Sequence, residues 1–305
     1  MAVAVFGSIG MDITAYLERL PKPGETLAGT SYNWGLGGKG ANQAVAATKL
    51  GSDVTFVCRL GVDDFAKAAF REITSYGVKA DGIASDSDGA TGLAIIYVGQ
   101  GGQNAIAIVS GSNMRMDASD VARARPALEK ADVLLLQLEV PLAASLEAAK
   151  IVRSHGGRVV LDPAPVPKDG LPKDVWRHAD IATPNEVETA ALIGWQPTTL
   201  DEALKAASEL RGQGLGTAIV KLGAKGLAYA SAETEGTIEP FKVNAIDTVA
   251  AGDCFNGGLA HALESGMPLA QALRFASACG ALSTTKKGAA SAAPTKAEVE
   301  KFLNA

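Results

Sequence analysis

Short apolar runs alternate along this chain with segments whose apolar residues fall three and four apart. The runs at 2–6, 54–58, 133–138, 158–161, 180–182 and 217–221 have the length and composition of buried strands. Between most of them, 65–76, 118–130, 142–155, 186–193 and 200–213 have helical spacing, several ending at Gly or polar stops. From residue 252 the pattern is helical nearly to the end, through 252–265, 268–284 and 296–304. Strand, helix, strand in repetition requires right-handed crossovers, hence an α/β fold with a mainly parallel central sheet flanked by helices. No internal repeat or Pro/Ser-rich linker interrupts it, so residues 1–305 read as a single domain.

Two segments break the rhythm, 24–36 and 92–110. In the second, 93–98 and 104–109 flank Gly99-Gln100-Gly101-Gly102-Gln103, the pattern of a hairpin. Strands too few to form a core would make a small β lid over a site, contributed by roughly 12–37 and 92–110. An edge hairpin without function fits these residues equally well.

The net charge of −5 gives no long-range attraction for nucleic acid or an anionic membrane, so a phosphate ligand must be held locally. The three cysteines have neither zinc-site nor disulfide spacing, which fits a reducing cytoplasm. The first residues, MAVAVFGSIGMD, lack the basic and long apolar regions of an export signal, and no run is long enough to span a bilayer.

Chemistry concentrates in two glycine-rich stretches. In Asp247-Thr-Val-Ala-Ala-Gly-Asp-Cys-Phe-Asn-Gly-Gly258, the small residues Ala250, Ala251 and Gly252 let a ligand approach the backbone amides, and Gly257 and Gly258 let the next helix pack closely. A helix beginning there makes an anion site, with Asp253 in its first turn. Aspartate is also an ordinary helix-start residue, and taken alone that reading is the stronger. The second stretch, Gly37-Gly-Lys-Gly-Ala-Asn-Gln-Ala44, precedes a helical run at 41–50 and places Lys39 and Asn42 beside bare backbone. By itself it is also a tight turn before a helix. Residues 35–40 satisfy G-x-G-x-x-G, but no convincing strand leads into them and no acid ends the next strand, which argues against a dinucleotide site. Gly40 is followed by Ala, so there is no Walker A motif either.

GGKGANQA near the amino terminus with DTVAAGDCFNGG near the carboxyl terminus resembles the two signatures of the ribokinase-like sugar kinases, the PfkB family. Between them stand Gln137-Leu-Glu139, Asp162-Pro-Ala-Pro165, Thr183-Pro-Asn-Glu186 with Glu188, and Lys221-Leu-Gly-Ala-Lys-Gly226, in the family's order. The resemblance implies a three-layer ribokinase-like fold and ATP-dependent phosphorylation of a sugar, D-ribose at its primary 5-hydroxyl. It makes Asp253 the general base and the amides of Ala250, Ala251, Gly252 and Asp253 the anion hole. Asp12, Gly38, Lys39, Gly40, Asn42 and Glu139 would line the sugar site. Asn185, Lys221, Gly223, Gly226, Gly252 and Ser277 would meet ATP, and Asn185 and Glu188 would hold Mg²⁺ through water. Asp247, with Val249, Ser283, Lys286 and Gly288, would form a K⁺ loop. A homodimer joined through the β lid is also implied.

Two positions depart from the pattern. Gly10 stands where the family's Gly-Ser-x-Asn-x-Asp has asparagine, and Ala292 where it has serine. The first keeps deoxyribose, fructose, another pentose or ketose, or a nucleoside open as acceptor. A sugar or nucleotide sensor without catalysis is the remote alternative, disfavoured because Asp253 and its glycine are intact.

Overall fold

The computed structural model describes residues 2–304. Its elements run β1 Val3–Phe6, β2 Gly10–Tyr16, β3 Ser31–Gly37, α1 Lys39–Lys49, β4 Val54–Leu60, α2 Asp64–Ser75, β5 Ile83–Ser85, β6 Gly92–Val98 and β7 Asn104–Val109. There follow α3 Ala118–Leu128, β8 Val133–Leu136, α4 Leu142–Ser154, β9 Arg158–Leu161, β10 Ile181–Ala182, α5 Glu186–Ile193, α6 Leu200–Gly212 and β11 Thr217–Lys221. The chain ends with β12 Leu227–Ala230, β13 Glu235–Ile238, α7 Ala251–Glu264, α8 Leu269–Ser283 and α9 Lys296–Leu303.

A nine-stranded sheet has the order β13-β12-β11-β10-β9-β8-β1-β4-β5. It is parallel from β5 to β11; only β12 and β13 run antiparallel to their neighbours. Helices cover both faces, so β1 and β8 near its centre are apolar and buried at every position. In β1, Val3 and Val5 join the core made with α1, α2, α7 and α8, while Ala4 and Phe6 join the core made with α3, α4 and α6. Each fully buried Val or Leu contributes about 1.5–3 kcal/mol relative to exposure.

The second sheet has the order β3-β2-β6-β7 and leaves the main body through β1–β2 and β5–β6. It contains the hairpin expected at 93–109, and also β2, which lies at its centre beside β6. Every residue of β7 is exposed. Ile106 and Ile108 stand 54% and 67% in solvent, with Tyr32 and Trp34 of β3 at 75% and 53%.

One expectation needs correction. A strand does run into Gly35–Gly40: it is β3, whose first four residues are exposed and therefore lack an apolar signature. It pairs antiparallel with β2 in the second sheet, so it supplies no βαβ context for a dinucleotide. Asp12 is the third residue of β2. The short strands β5, β12 and β13 were not legible either, β13 because its alternation is largely polar.

Candidate active site

The helix α7 starts from Ala250, whose φ of 57° is the one left-handed non-glycine conformation among the described residues. Such a conformation costs about 1–2 kcal/mol for an L-residue, and it turns the chain so that successive amides converge. The Ala251 amide makes a 3.3 Å bond to the Thr248 carbonyl, while those of Ala250, Gly252 and Asp253 meet no acceptor among the described residues. The converging donors and the positive end of the helix dipole suit an anion.

Asp253 faces inward from that turn and is only 5% exposed. Its two oxygens accept from Asn42 Nδ2 at 3.1 Å and Gln43 Nε2 at 3.0 Å, both on α1. The two helices can approach because Gly257 has no side chain: a Cβ there would lie 2.5 Å from the Ala46 Cβ and 2.9 Å from the Gln43 carbonyl oxygen. Burial pushes the Asp253 carboxyl up to about 6; Lys39 opposes this, the Asp162 charge adds to it, and the Gln43 and Asn42 bonds oppose it. Burial would lower the Lys39 ammonium, but Asp253, Asp162, Glu139 and Glu188 together raise it, so it stays charged.

The sugar-side residues expected from the sequence meet around the start of α1. Glu139 Oε2 accepts from the Lys39 amide at 2.9 Å and from the Ser8 hydroxyl. Gly38 caps α1 with a φ of 93°, and Gly40 packs against the backbone of Gly7 and Ser8. Asp12 enters from β2; burial and then the charges of Glu139 and Asp253 push it up to about 6. The Asn42 Oδ1 atom is buried without a hydrogen-bond partner, an acceptor suited to a hydroxyl.

The residues expected on the phosphate side lie at the carboxyl ends of β9, β10 and β11. Asn185 caps α5, accepting from the Val187 and Glu188 amides, while Glu188 accepts from Asn185's amide and side chain. Burial and then Asp162 raise Glu188, with Lys221 opposing, so a divalent cation would relieve its charge. Lys221 Nζ sits 3.4 Å from Asp162 Oδ1, and after it Gly223 and Gly226 adopt φ of 54° and 94° in an open turn. Ser277 is partly buried on α8.

Asp247 binds two backbone segments together, accepting from the Val249 amide and the Gly288 amide, each at 3.0 Å. The Ser283 carbonyl accepts from the Lys286 amide at 3.1 Å, the Lys286 side chain turns out to Glu298, and Ala292 is buried. Sequence reasoning gave no role to Gln43, Gln137 or Asp162 individually, although all three stand inside motifs it quoted. A groove of about 620 Å³ lies apart from all of this, between α2 and β4–β5 and lined by Leu60, Val62, Phe70 and Arg71. It holds none of the converging donors, so side-chain chemistry places the site and cavity size does not. Among the described residues no helix is long and apolar enough to cross a membrane.

The pattern of the pfkB family carbohydrate kinases matches residues 2–296. Ribokinase from Haemophilus influenzae is 40% identical over 301 residues, 99% of this chain and 98% of its own. Deoxyribokinase from Salmonella typhi is 36% identical over 304 residues, 100% of this chain and 99% of its own. Among solved structures, ribokinase from Thermotoga maritima superposes with a TM-score of 0.90 at 36% identity, over 100% of this chain and 99% of that one. Arabidopsis thaliana ribokinase complexed with ribose and ATP gives 0.90 at 32%, with the same coverage. The chain belongs to the pfkB family of carbohydrate kinases.

Proposed function

We propose that this kinase transfers the γ-phosphate of ATP to the primary 5-hydroxyl of D-ribose. One observation carries the reading: a buried carboxylate, Asp253, and the unpaired amides of Ala250, Gly252 and Asp253 share the first turn of α7. Asp253 takes the proton of the attacking hydroxyl, and the amides stabilise charge on the phosphoryl group in transfer. Asp12, Asn42, Glu139 and the backbone of Gly38–Gly40 hold the sugar beside Lys39. The Lys221 turn, Gly223 and Gly226, Gly252 and Ser277 take the nucleotide. Mg²⁺, held through water by Asn185 and Glu188, neutralises phosphate charge when bound. The chain acts as one domain with its four-stranded sheet as lid, and three free, buried cysteines suit a reducing cytoplasm.

Gly10 favours 2-deoxyribose as a second reading. A Cβ there would lie 2.4 Å from the Gly92 carbonyl oxygen, so no side chain can reach the sugar from this position without moving β2 off β6. One missing hydrogen bond in a dry site is worth about 1–3 kcal/mol. Initial rates with ribose, 2-deoxyribose and fructose decide the matter: kcat/KM is expected to favour ribose by about tenfold or more. A preference for deoxyribose would move the acceptor within the same chemistry.

A K⁺ ion bound by the carbonyls around Asp247 would hold the 247–249 loop in place just before the anion hole. Turnover should rise several-fold when K⁺ replaces a bulky organic cation, and Asp247→Ala should abolish the difference. Equal rates in both salts remove the site.

The exposed apolar sheet fits a homodimer in which each lid covers the other, because such a face is costly in water. Sedimentation should show a dimer, and Ile108→Asp, which puts a charge into the contact, should give a monomer. A wild-type monomer at assay concentration rejects this arrangement.

A further inference from the structure

We infer that Asp162 is a positioning residue for this transfer: it holds the Gln43 amide that also fixes Asp253, and it anchors Lys221 near the start of α7. The inference rests on Asp253 being the base.

Asp162 follows β9 and is nearly inaccessible. Its Oδ2 accepts from Gln43 Nε2 at 3.0 Å, the same nitrogen that donates to Asp253 Oδ1 at 3.0 Å. One side-chain amide therefore gives each of its two N–H groups to a different carboxylate. Gln137 Nε2 donates to Gln43 Oε1 at 2.7 Å, which fixes the way the amide faces. Turning Gln43 over would point its oxygen at both carboxylates and break three buried bonds. Asp253 thus has one orientation, with acceptor capacity left for a substrate hydroxyl. The other oxygen of Asp162 faces Lys221 Nζ at 3.4 Å, and that ammonium also lies 5.6 Å from the centre of the Phe255 ring on α7. Among the described residues, Asp162 is the one group that bonds both the support of the proposed base and the lysine of the nucleotide turn.

Removing it has separable effects. Alanine leaves a buried N–H of Gln43 without an acceptor and Lys221 without its ion pair, so Gln43 and Asp253 lose their common orientation. Asparagine keeps an oxygen for Gln43 while removing the charge. The charged groups around Asp253 are Asp12 from β2, Lys39 from α1, Glu139 after β8, Asp162, Glu188 from α5 and Lys221 from β11. Asp162 is among those that raise its pKa, so its neutralisation lowers the pH at which activity is lost.

The test is steady-state kinetics of Asp162→Ala and Asp162→Asn across pH, with folding checked by circular dichroism. The alanine variant should lose about 10- to 100-fold in kcat with little change in KM for sugar. The asparagine variant should recover most of that kcat, with an acid limb at lower pH than wild type. A folded alanine variant with wild-type kcat overturns the inference, as does an asparagine variant with an unmoved acid limb; the latter decides alone if alanine prevents folding. Asp253→Asn is assayed in parallel. If it turns over normally, the base reading fails and this inference with it, an outcome distinct from failure at Asp162.

Discussion

Replacing Asp253 by asparagine is expected to lower kcat by about 10²–10⁴-fold, the contribution typical of a positioned general base. Asparagine has nearly the same shape and can still fill the space beside Asn42 and Gln43, so the KM values for sugar and ATP should change little. Coupled-assay kinetics with ribose and ATP would measure this, and undiminished turnover would reject the mechanism. The wild-type pH profile carries a second signature. Burial lifts Asp253 from 3.8 to about 6, and only its ionised form accepts a proton. Activity should therefore be lost as pH falls through about 6. The same shift is a stability statement. A carboxyl whose folded pKa is raised favours the fold below its ordinary value, and that contribution disappears as pH rises through about 6. The enzyme keeps a charge where folding alone would prefer a neutral group.

Gly40→Ala should damage both stability and rate although it adds a single methyl group. Alanine ordinarily improves a helix by about 0.5–1 kcal/mol over glycine, and Gly40 lies in α1 with no positive φ. Here a Cβ would stand 2.7 Å from the Gly7 carbonyl carbon and from the nitrogen and oxygen of Ser8, all backbone atoms that cannot rotate away. The clash wins, with an expected cost of about 1–3 kcal/mol for overpacking. The helix relieves it by backing off β1, which carries Asn42 and Gln43 away from Asp253 and Lys39 away from Glu139. A displacement near 1 Å can cost about 10²-fold in rate. Thermal melts and kinetics should therefore fall together. Gly212→Ala at the end of α6, where an added Cβ meets nothing within 4 Å, should leave both unchanged. If Gly40→Ala behaves like that control, the close approach of α1 to the β1–β2 turn does not set the site.

Much of the fold could be read from the chain because buried parallel strands and amphipathic helices carry strong local signals. The strand 158–161 and the helix 186–193 stand where their patterns put them. The lid was harder. The proposed lid strands are largely half-buried or exposed, so β3 has no core pattern and β2 shows no buried run beyond its first two residues. The proposed anion hole was legible as bare backbone before a helix. The left-handed turn at Ala250 was not, since alanine gives no hint of a positive φ.

The sequence by itself determined the alternation of elements, the two glycine-rich stretches and which acids stand in them, because these depend on residues near one another in the chain. Tertiary structure alone decided which carboxylate is buried and held by two amides, and which lysine faces which acid. Asp253 and Gln43 are 210 positions apart. No local pattern encodes the desolvation that lifts one aspartate toward neutrality, because that depends on everything the folded chain packs around it.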